Sequence, residues 1–166
     1  MKGLSNKEME VVSYLEFEKK YFFTRDDLTK YLASYNQMRH TLHKLIQKGR
    51  VISLNRNKYY LVPVKALTGK WTENSFILID EVMNGKDYFI GGWAGANYWK
   101  LTDQIPTKVE VYTTKRHGIK KYLTTTIIFR RTTPERINRA VIEHVNEHPF
   151  RIETKEESKR WLKSRS

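Results

Sequence analysis

The sequence predicts an α+β protein in two parts, a basic helical region followed by a strand-rich one. Three observations carry that reading. Apolar residues recur at helical spacing from Met9 to Ile46, and a hairpin-like stretch closed by Pro63 follows. Beyond Gly69, aromatic and β-branched runs become frequent. The 166 residues suffice for one ordinary domain or two small ones, and 39% hydrophobic content is enough for packed cores. We place the boundary between Pro63 and Gly69, giving residues 1–64 and 65–166.

In the first part, Ser5 and Glu8 fit a capping box, in which each side chain satisfies a free backbone N–H at the helix start. Met9, Val12 and Leu15 follow at helical spacing, and Lys19 and Lys20 suit the negative end of that helix. Thr24 is a cap for a second, short helix. Asp26 and Asp27 stand in its first turn, Phe23 and Leu28 form a staple across its start, and Leu28, Tyr31 and Leu32 are its buried stripe. A third helix starts at Ser34 with Gln37 as its capping-box partner and stops at Gly49. Met38, Leu42, Leu45 and Ile46 form its core face. Val51 to Leu54 and Tyr59 to Val62 are β-prone, with Asn55, Arg56 and Asn57 as turn residues between them. Three helices followed by a two-stranded wing is the order of a winged helix-turn-helix.

The second part begins with an expected helix from Glu73 to Met83, capped by Thr72 and stopped at Asn84-Gly85. Tyr88 to Ile90 reads as a strand entering a helix from Trp93 to Lys100. The small residues Gly91, Gly92, Ala94, Gly95 and Ala96 read as a close backbone approach, because no phosphate-loop spacing is present. "KVEVYTT" and "YLTTTIIFRR" are strands joined by a basic turn around Gly118, an antiparallel hairpin. Thr133-Pro134-Glu135 opens a helix with Ile137, Ala140, Val141 and Val145 on its buried face, closed by Pro149. Thr154 and Glu157 cap a last helix that carries Trp161 and Leu162. The expected fold is therefore α+β: an N-terminal winged helix-turn-helix and a small α+β domain with an antiparallel hairpin.

The charge narrows the function. A formal net charge of +13 and an isoelectric point near 9.8 favour a polyanionic partner. The absence of cysteine excludes disulfides, thiolate metal sites and cysteine nucleophiles. No stretch approaches the roughly 20 apolar residues of a membrane span. The start lacks a signal-peptide apolar run, so a cytoplasmic protein is expected. On the third helix, the face away from the core holds Asn36, Gln37, His40, His43, Lys44 and Gln47, with Arg39 on the flank. Amides suit adenine edges, and Arg or Lys suits guanine and phosphate. No acidic residue lies between Tyr35 and Ala66, whereas an ordinary solvated face mixes both signs. Asn36, Gln37, His40 and Lys44 are therefore assigned to base edges of double-stranded DNA. Arg39, His43, Arg56 and Lys58 are assigned to phosphates, with Asn57 beside them at the wing tip.

No catalytic group stands out. His144 and His148 share a face of the expected helix, but no Glu directly follows His144 and no third ligand is evident, so no metal is expected. Asp80, Glu110 and Lys115 lack the acid-x-Lys spacing of a metal-dependent nuclease. The reading is a binding protein without cofactor and not an enzyme.

The segment "YFIGGWAGANYWKLTDQIPTKVEVYTTKR" resembles the central motif of the AbiEi-type antitoxins and their transcriptional-regulator relatives. The matching positions run through Ile90-Gly91-Gly92-Trp93, Tyr98-Trp99, Leu101-Thr102, Gln104, Ile105-Pro106 and Thr114-Lys115-Arg116. "HPFRIETKEES" is similar to a later segment of the same family. Ala94-Gly95-Ala96 stand where the family usually has Ser-Ala-Leu, and Lys100 stands where it usually has Gly. The resemblance implies the antitoxin of a type IV toxin–antitoxin pair, whose winged helix represses its own promoter at inverted repeats. It also implies a C-terminal region that counters a nucleotidyltransferase toxin without a stable complex. Lys115, Arg116, Lys120 and Lys121 are the residues we assign to a toxin or its RNA substrate. The alternative is a stand-alone winged-helix regulator whose C-terminal domain binds another protein or RNA.

Overall fold

A computed structural model of the protein describes residues 3–67 and 73–165. Contacts divide the chain into two compact units, Met1–Thr72 and Glu73–Ser166. Together the described residues form a mixed α+β protein with seven α-helices and two sheets. The division falls later than the expected Pro63–Gly69 boundary, because Val64–Leu67 adds one more helical turn, α3, after Pro63.

The first unit starts with α1 (Asn6–Phe17), and its Ser5–Glu8 capping box forms as expected. Val11, Val12 and Leu15 are buried, whereas Met9 points outward. Lys19 takes a left-handed conformation just past the helix end. The expected second helix is a correction. Phe22–Thr24 is a strand, β1, followed only by a 3₁₀ turn over Asp26–Leu28. Instead of Thr24 capping a helix, the Asp27 carboxylate accepts hydrogen bonds from the Thr24 N–H at 2.7 Å and its hydroxyl at 3.1 Å. That carboxylate also pairs with Lys20, which helps hold the strand-to-turn corner. Phe23 and Leu28 are both buried, and they share one core with Tyr59 and with the first and next helices.

Helix α2 (Tyr35–Gln47) follows, with Ser34 as N-cap. The Gln37 side chain accepts from the N–H of Ala33 at 2.8 Å, one residue beyond the position a capping box uses. Met38, Thr41, Leu42 and Leu45 are buried; Ile46, expected in the core, lies at its margin and is 39% exposed. Strands β2 (Val51–Ser53) and β3 (Lys58–Leu61) make the expected hairpin, and β1 adds to it antiparallel in the order β1-β3-β2. Lys48 reaches back to the buried Glu8 of α1 and to the carbonyl of Gly3. Burial pushes the Glu8 carboxyl up, but Lys48, the Ser5 N–H and the charge of Lys44 outweigh it and hold the carboxyl low.

The second unit has the sheet order β6-β7-β5-β4-β9-β8. Its first helix, α4 (Ser75–Met83), is capped by Asn74, whose side chain accepts from the N–H of Phe76 at 2.9 Å. The expected cap, Thr72, and the boundary residue Gly69 lie outside the described residues. Asn84 and Gly85 are both left-handed, and they stop the helix as expected. Strand β4 (Phe89–Gly91) leads directly into α5 (Gly92–Tyr98).

The remaining strands correct two expectations. β5 (Lys108–Thr113) runs parallel to β7 (Thr125–Arg131), so these two do not form a hairpin with each other. The stretch read as a basic turn is itself a strand, β6 (Gly118–Tyr122), which pairs antiparallel with β7 through a tight turn at Leu123. β6 is an edge strand, where lysines discourage further pairing. The expected long helix after Pro134 ends early: α6 spans Pro134–Arg139, and Val141–Val145 is strand β8. β8 turns back into β9 (His148–Ile152) through Asn146 and Glu147, both at positive φ. Two such residues make the turn whose twist suits a hairpin. Val141 and Val145 fit a helix face and a strand face equally well, and Pro149 lies within β9 instead of closing a helix. The last helix, α7 (Lys155–Lys163), has the Thr154–Glu157 capping box intact.

Phe89 of β4 lies opposite Tyr112 of β5, and their stacked rings pack with Ile137 of α6. Phe150 of β9 packs instead against Phe76 of α4 and Tyr98 of α5. The end of α5 shows a costly feature. Trp99 closes the helix, and Lys100 follows at φ +57°, with the Leu101 N–H donating to Ala96 O at 3.0 Å and the Lys100 N–H to Asn97 O at 3.0 Å. This is the double bond pattern that glycine serves best. Lys100→Gly should therefore raise stability by about 0.5–1 kcal/mol, measured as a higher midpoint in urea unfolding with an unchanged slope.

Candidate nucleic-acid interface

The structure divides the residues expected to touch nucleic acid. At about 100° per residue, the buried stripe of Met38, Thr41, Leu42 and Leu45 fixes which way α2 faces. Asn36, Arg39, His40 and His43 are all exposed and together line one shallow surface depression on the outer side. Gln37 and Lys44 do not join them. The Gln37 side chain is folded onto the Ala33 N–H, and Lys44 is half-buried, with its charge felt by Glu8 of α1. Both stand on the line that runs through buried Thr41 to Lys48, the side that meets α1.

Sequence reading missed one cation. The half-buried Arg25 lies between β1 and the 3₁₀ turn. Its Nε donates to the Tyr59 hydroxyl at 3.1 Å and its Nη1 to the Tyr35 hydroxyl at 3.4 Å. The guanidinium lies 5.9 Å from each ring centre. Arg25, Arg39, His43 and Ile46 line a second hollow beside the first. Arg25 stands in no periodic pattern and is followed by two aspartates, so its charge was hidden in the sequence.

The hairpin tip is ordered by its own side chains. The Asn55 carboxamide oxygen accepts from the N–H groups of Asn57 and Lys58, both at 3.0 Å. Arg56 and Asn57 are exposed, and Lys58 is half-buried. Lys58 adjoins Tyr59, which holds Arg25, which in turn touches Tyr35 at the start of α2. A short chain of contacts thus links the base of the hairpin to the helix face.

The four basic residues assigned to a partner in the second unit do not all share one face. Lys120 and Lys121 are neighbours on β6 and so point to opposite faces of the sheet. Lys120 lies over the Tyr122 ring, and Arg116 lies over the Phe129 ring at 3.9 Å and donates to Met83 Sδ. Lys115 is largely exposed, 4.0 Å from Asp87. The acids and lysine considered for a nuclease are engaged separately: Asp80 with Tyr88, Glu110 with Tyr112 and Arg130, and Lys115 with Asp87. His144 and His148 stand on the β8–β9 hairpin and not on a helix; His144 is exposed, and His148 meets Glu81 and Asp80.

The small-residue segment packs around a buried acid, Glu153, which is 1% exposed. The Ser158 hydroxyl donates to its Oε1 at 2.8 Å, and the Trp99 indole N–H donates to its backbone carbonyl at 2.9 Å. A Cβ on Gly95 would stand 2.7 Å from Glu153 Oε1, and one on Gly92, at φ +63°, would stand 2.9 Å from Glu110 Cδ. The expected close approach is therefore of backbone to carboxylates. Burial pushes the Glu153 carboxyl up to about 7, against the lowering pull of the Ser158 hydrogen bond.

No family model and no curated protein matches the sequence of this chain. At the level of fold, the chain is an α+β protein of two units. Its particular likeness is to the crystal structure of the RV2827C protein from Mycobacterium tuberculosis, with a TM-score of 0.57 and 11% sequence identity. The match covers 84% of this chain and 50% of that one, so this chain spans about half the length of the protein it resembles. At that identity the likeness concerns the fold alone.

Glu153 supplies a test of the second unit's core. Its folded-state value lies above the 4.5 of a free glutamate, so the folded protein holds this proton more tightly than the unfolded chain does. Its contribution is complete at low pH and is lost as pH rises from about 4.5 to about 7, by up to about 1.4 kcal/mol per pH unit. Glu153→Gln does not titrate. Its thermal midpoint should match the wild type near pH ~5 and exceed it near pH ~8, read by circular dichroism across a pH series.

Proposed function

We propose that the protein is a sequence-specific DNA-binding repressor whose first unit acts as a winged helix-turn-helix. One observation carries the proposal: α2 turns Asn36, Arg39, His40 and His43 outward on one face that contains no acid. In this reading α2 enters the major groove, with Asn36 and His40 at base edges and Arg39 reaching guanine or phosphate. Ile46, exposed at the same margin, is placed to meet a thymine methyl. Arg25, His43, Arg56 and Lys58 hold phosphates, and Asn57 lies against the backbone beside them. Gln37 and Lys44 contribute less than the sequence alone suggested, because one caps the helix and the other faces α1. The net charge of +13 supports a polyanionic ligand.

The motif around Ile90-Gly91-Gly92-Trp93 supports the narrower reading that this repressor is the autoregulating antitoxin of a type IV toxin–antitoxin pair, of the AbiEi type, in the cytoplasm. Its DNA target is then a set of inverted repeats in its own promoter, and its second unit counters a nucleotidyltransferase toxin or shields the toxin's RNA substrate. It acts by binding and not by catalysis. A stand-alone regulator without a toxin, whose second unit binds another protein or RNA, is the second reading; it draws on Lys121 pointing to the sheet face opposite Lys120, so the four basic residues assigned to a toxin or its RNA do not act as one group. Among the described residues, no helix is long and apolar enough to cross a membrane.

Fluorescence anisotropy with the protein's own promoter tests the DNA reading. Asn36→Ala and His40→Ala should each weaken promoter binding by about 10-fold to 100-fold while leaving binding to unrelated duplex unchanged. Arg56→Ala should weaken both equally and lower the slope of log K against log salt by about 1. Equal affinity of the wild type for promoter and unrelated DNA would overturn the proposal. Co-expression with the product of an adjacent nucleotidyltransferase gene separates the two narrower readings. Growth rescue supports the antitoxin, and its absence favours the stand-alone regulator.

A further inference from the structure

The last turn of α4 and the start of β9 bring together three side chains from distant parts of the sequence: Asp80, Glu81 and His148. One ligand atom from each lies within 4.8 Å of the others. None is openly exposed, with side-chain accessibilities of 12%, 17% and 24% in that order. The imidazole geometry is unusual. His148 Nδ1 lies 2.8 Å from the Pro149 carbonyl oxygen, and Nε2 lies 2.9 Å from Glu81 Oε1. Asp80 Oδ2 is 3.8 Å from Nδ1. Both ring nitrogens thus face oxygen acceptors, whereas a neutral imidazole carries one proton. The carbonyl of Pro149 takes an Nδ1–H, as the backbone does for many metal-binding histidines, and this leaves the Nε2 lone pair directed at a carboxylate. Either a second ring proton or a cation shared by Nε2 and the carboxylates resolves that opposition, and the clustering of three ligand atoms suits the cation.

The surroundings orient the carboxylates as well. The buried Tyr88 hydroxyl donates to Asp80 Oδ1 at 2.7 Å, and it accepts from the Arg151 N–H at 3.0 Å. Tyr88 therefore holds one Asp80 oxygen, and Oδ2 faces the His148 ring, 3.8 Å from Nδ1. We infer that Asp80, Glu81 and His148 form a binding site for one divalent transition-metal ion. One imidazole with two carboxylates matches zinc, and manganese or iron to a lesser degree. A tetrahedral zinc ion with bonds near 2.1 Å keeps its ligand atoms roughly 3.4 Å apart. Small side-chain rotations bring the three atoms to that spacing, and water fills the fourth position. The bound ion ties the end of α4 to β9 and its hairpin partner β8. Its effect is on the stability of the second unit, independent of whether the first unit binds DNA.

The test uses the full chain, stripped with a chelator and titrated with zinc chloride in a calorimeter. One zinc ion per chain should bind, and the thermal midpoint should rise by several degrees. His148→Ala and Glu81→Gln should each weaken zinc binding at least tenfold and abolish the rise, with far-UV circular dichroism of the metal-free variants unchanged. His144→Ala removes an exposed histidine from the same hairpin and should leave both readouts intact. Zinc binding by His148→Ala equal to that of wild type overturns the inference. So does a wild-type midpoint that zinc does not move, even if His148→Ala lowers it, because the cluster is then an ion pair with a protonated histidine.

Discussion

The exposed polar face of the first unit's longest helix depends on the rotation of α2 about its own axis. That rotation is set by burial. Met38, Leu42 and Leu45 enter one core with Val11, Val12 and Leu15 of α1 and with Phe23, Val51 and Tyr59 of the small sheet, and Thr41 is buried on the same helix. Fully burying a leucine or valine is worth about 1.5–3 kcal/mol, so turning the helix by even one residue's angle would expose several such side chains. The Lys48–Glu8 pair stands at the far end of the same helix and fixes it to α1. Breaking such a buried pair leaves a lone charge, which costs more than the pair itself contributes. The outward face is thus a consequence of the inward one, and Asn36, Arg39, His40 and His43 are grouped because the other arcs are spoken for.

The second unit is organised around polar groups as much as around its apolar core. Glu153 directly follows β9, lies against Gly95 and meets Ser158 of α7 and the N–H of Gly92, so one carboxyl joins the end of a strand, the start of α5 and the last helix. On the neighbouring strands, Glu110 receives the Tyr112 hydroxyl and Arg130. Burying carboxyls in this way is costly unless each oxygen is bonded. The glycines allow the backbone close enough to help with that bonding. A methyl group at Gly95 would meet Glu153 Oε1.

Much of this was legible in the sequence wherever one local signal decided the outcome. Ser5–Glu8 and Thr154–Glu157 announced capping boxes that form, and Asn84-Gly85 announced a helix stop. The core stripe of α2 was read correctly at three of its four positions; Ile46 fell to the margin because the helix turns the stripe toward Thr41. Failure came where two local readings were equally good. Phe22–Thr24 is too short for any period to show, and it became a strand only because β3 offered it an edge. Ile142 to Val145 suits helix and strand alike, and the pair of left-handed residues Asn146 and Glu147 decided for a hairpin.

By itself the sequence determined the mixed α+β composition, the basic and acid-free stretch from Tyr35 to Ala66, and the helix ends marked by the Ser5–Glu8 and Thr154–Glu157 boxes and by Asn84-Gly85, because charge, periodicity and capping act between residues a few positions apart. The tertiary structure alone decided three further matters. β5 and β7 run parallel with β6 outside them; Gln37 and Lys44 leave the face that Asn36 shares with His40; and His148 meets Asp80 and Glu81. Each joins residues by packing and backbone pairing across the fold. Strand partners and side-chain neighbours of that kind carry no spacing rule along the chain.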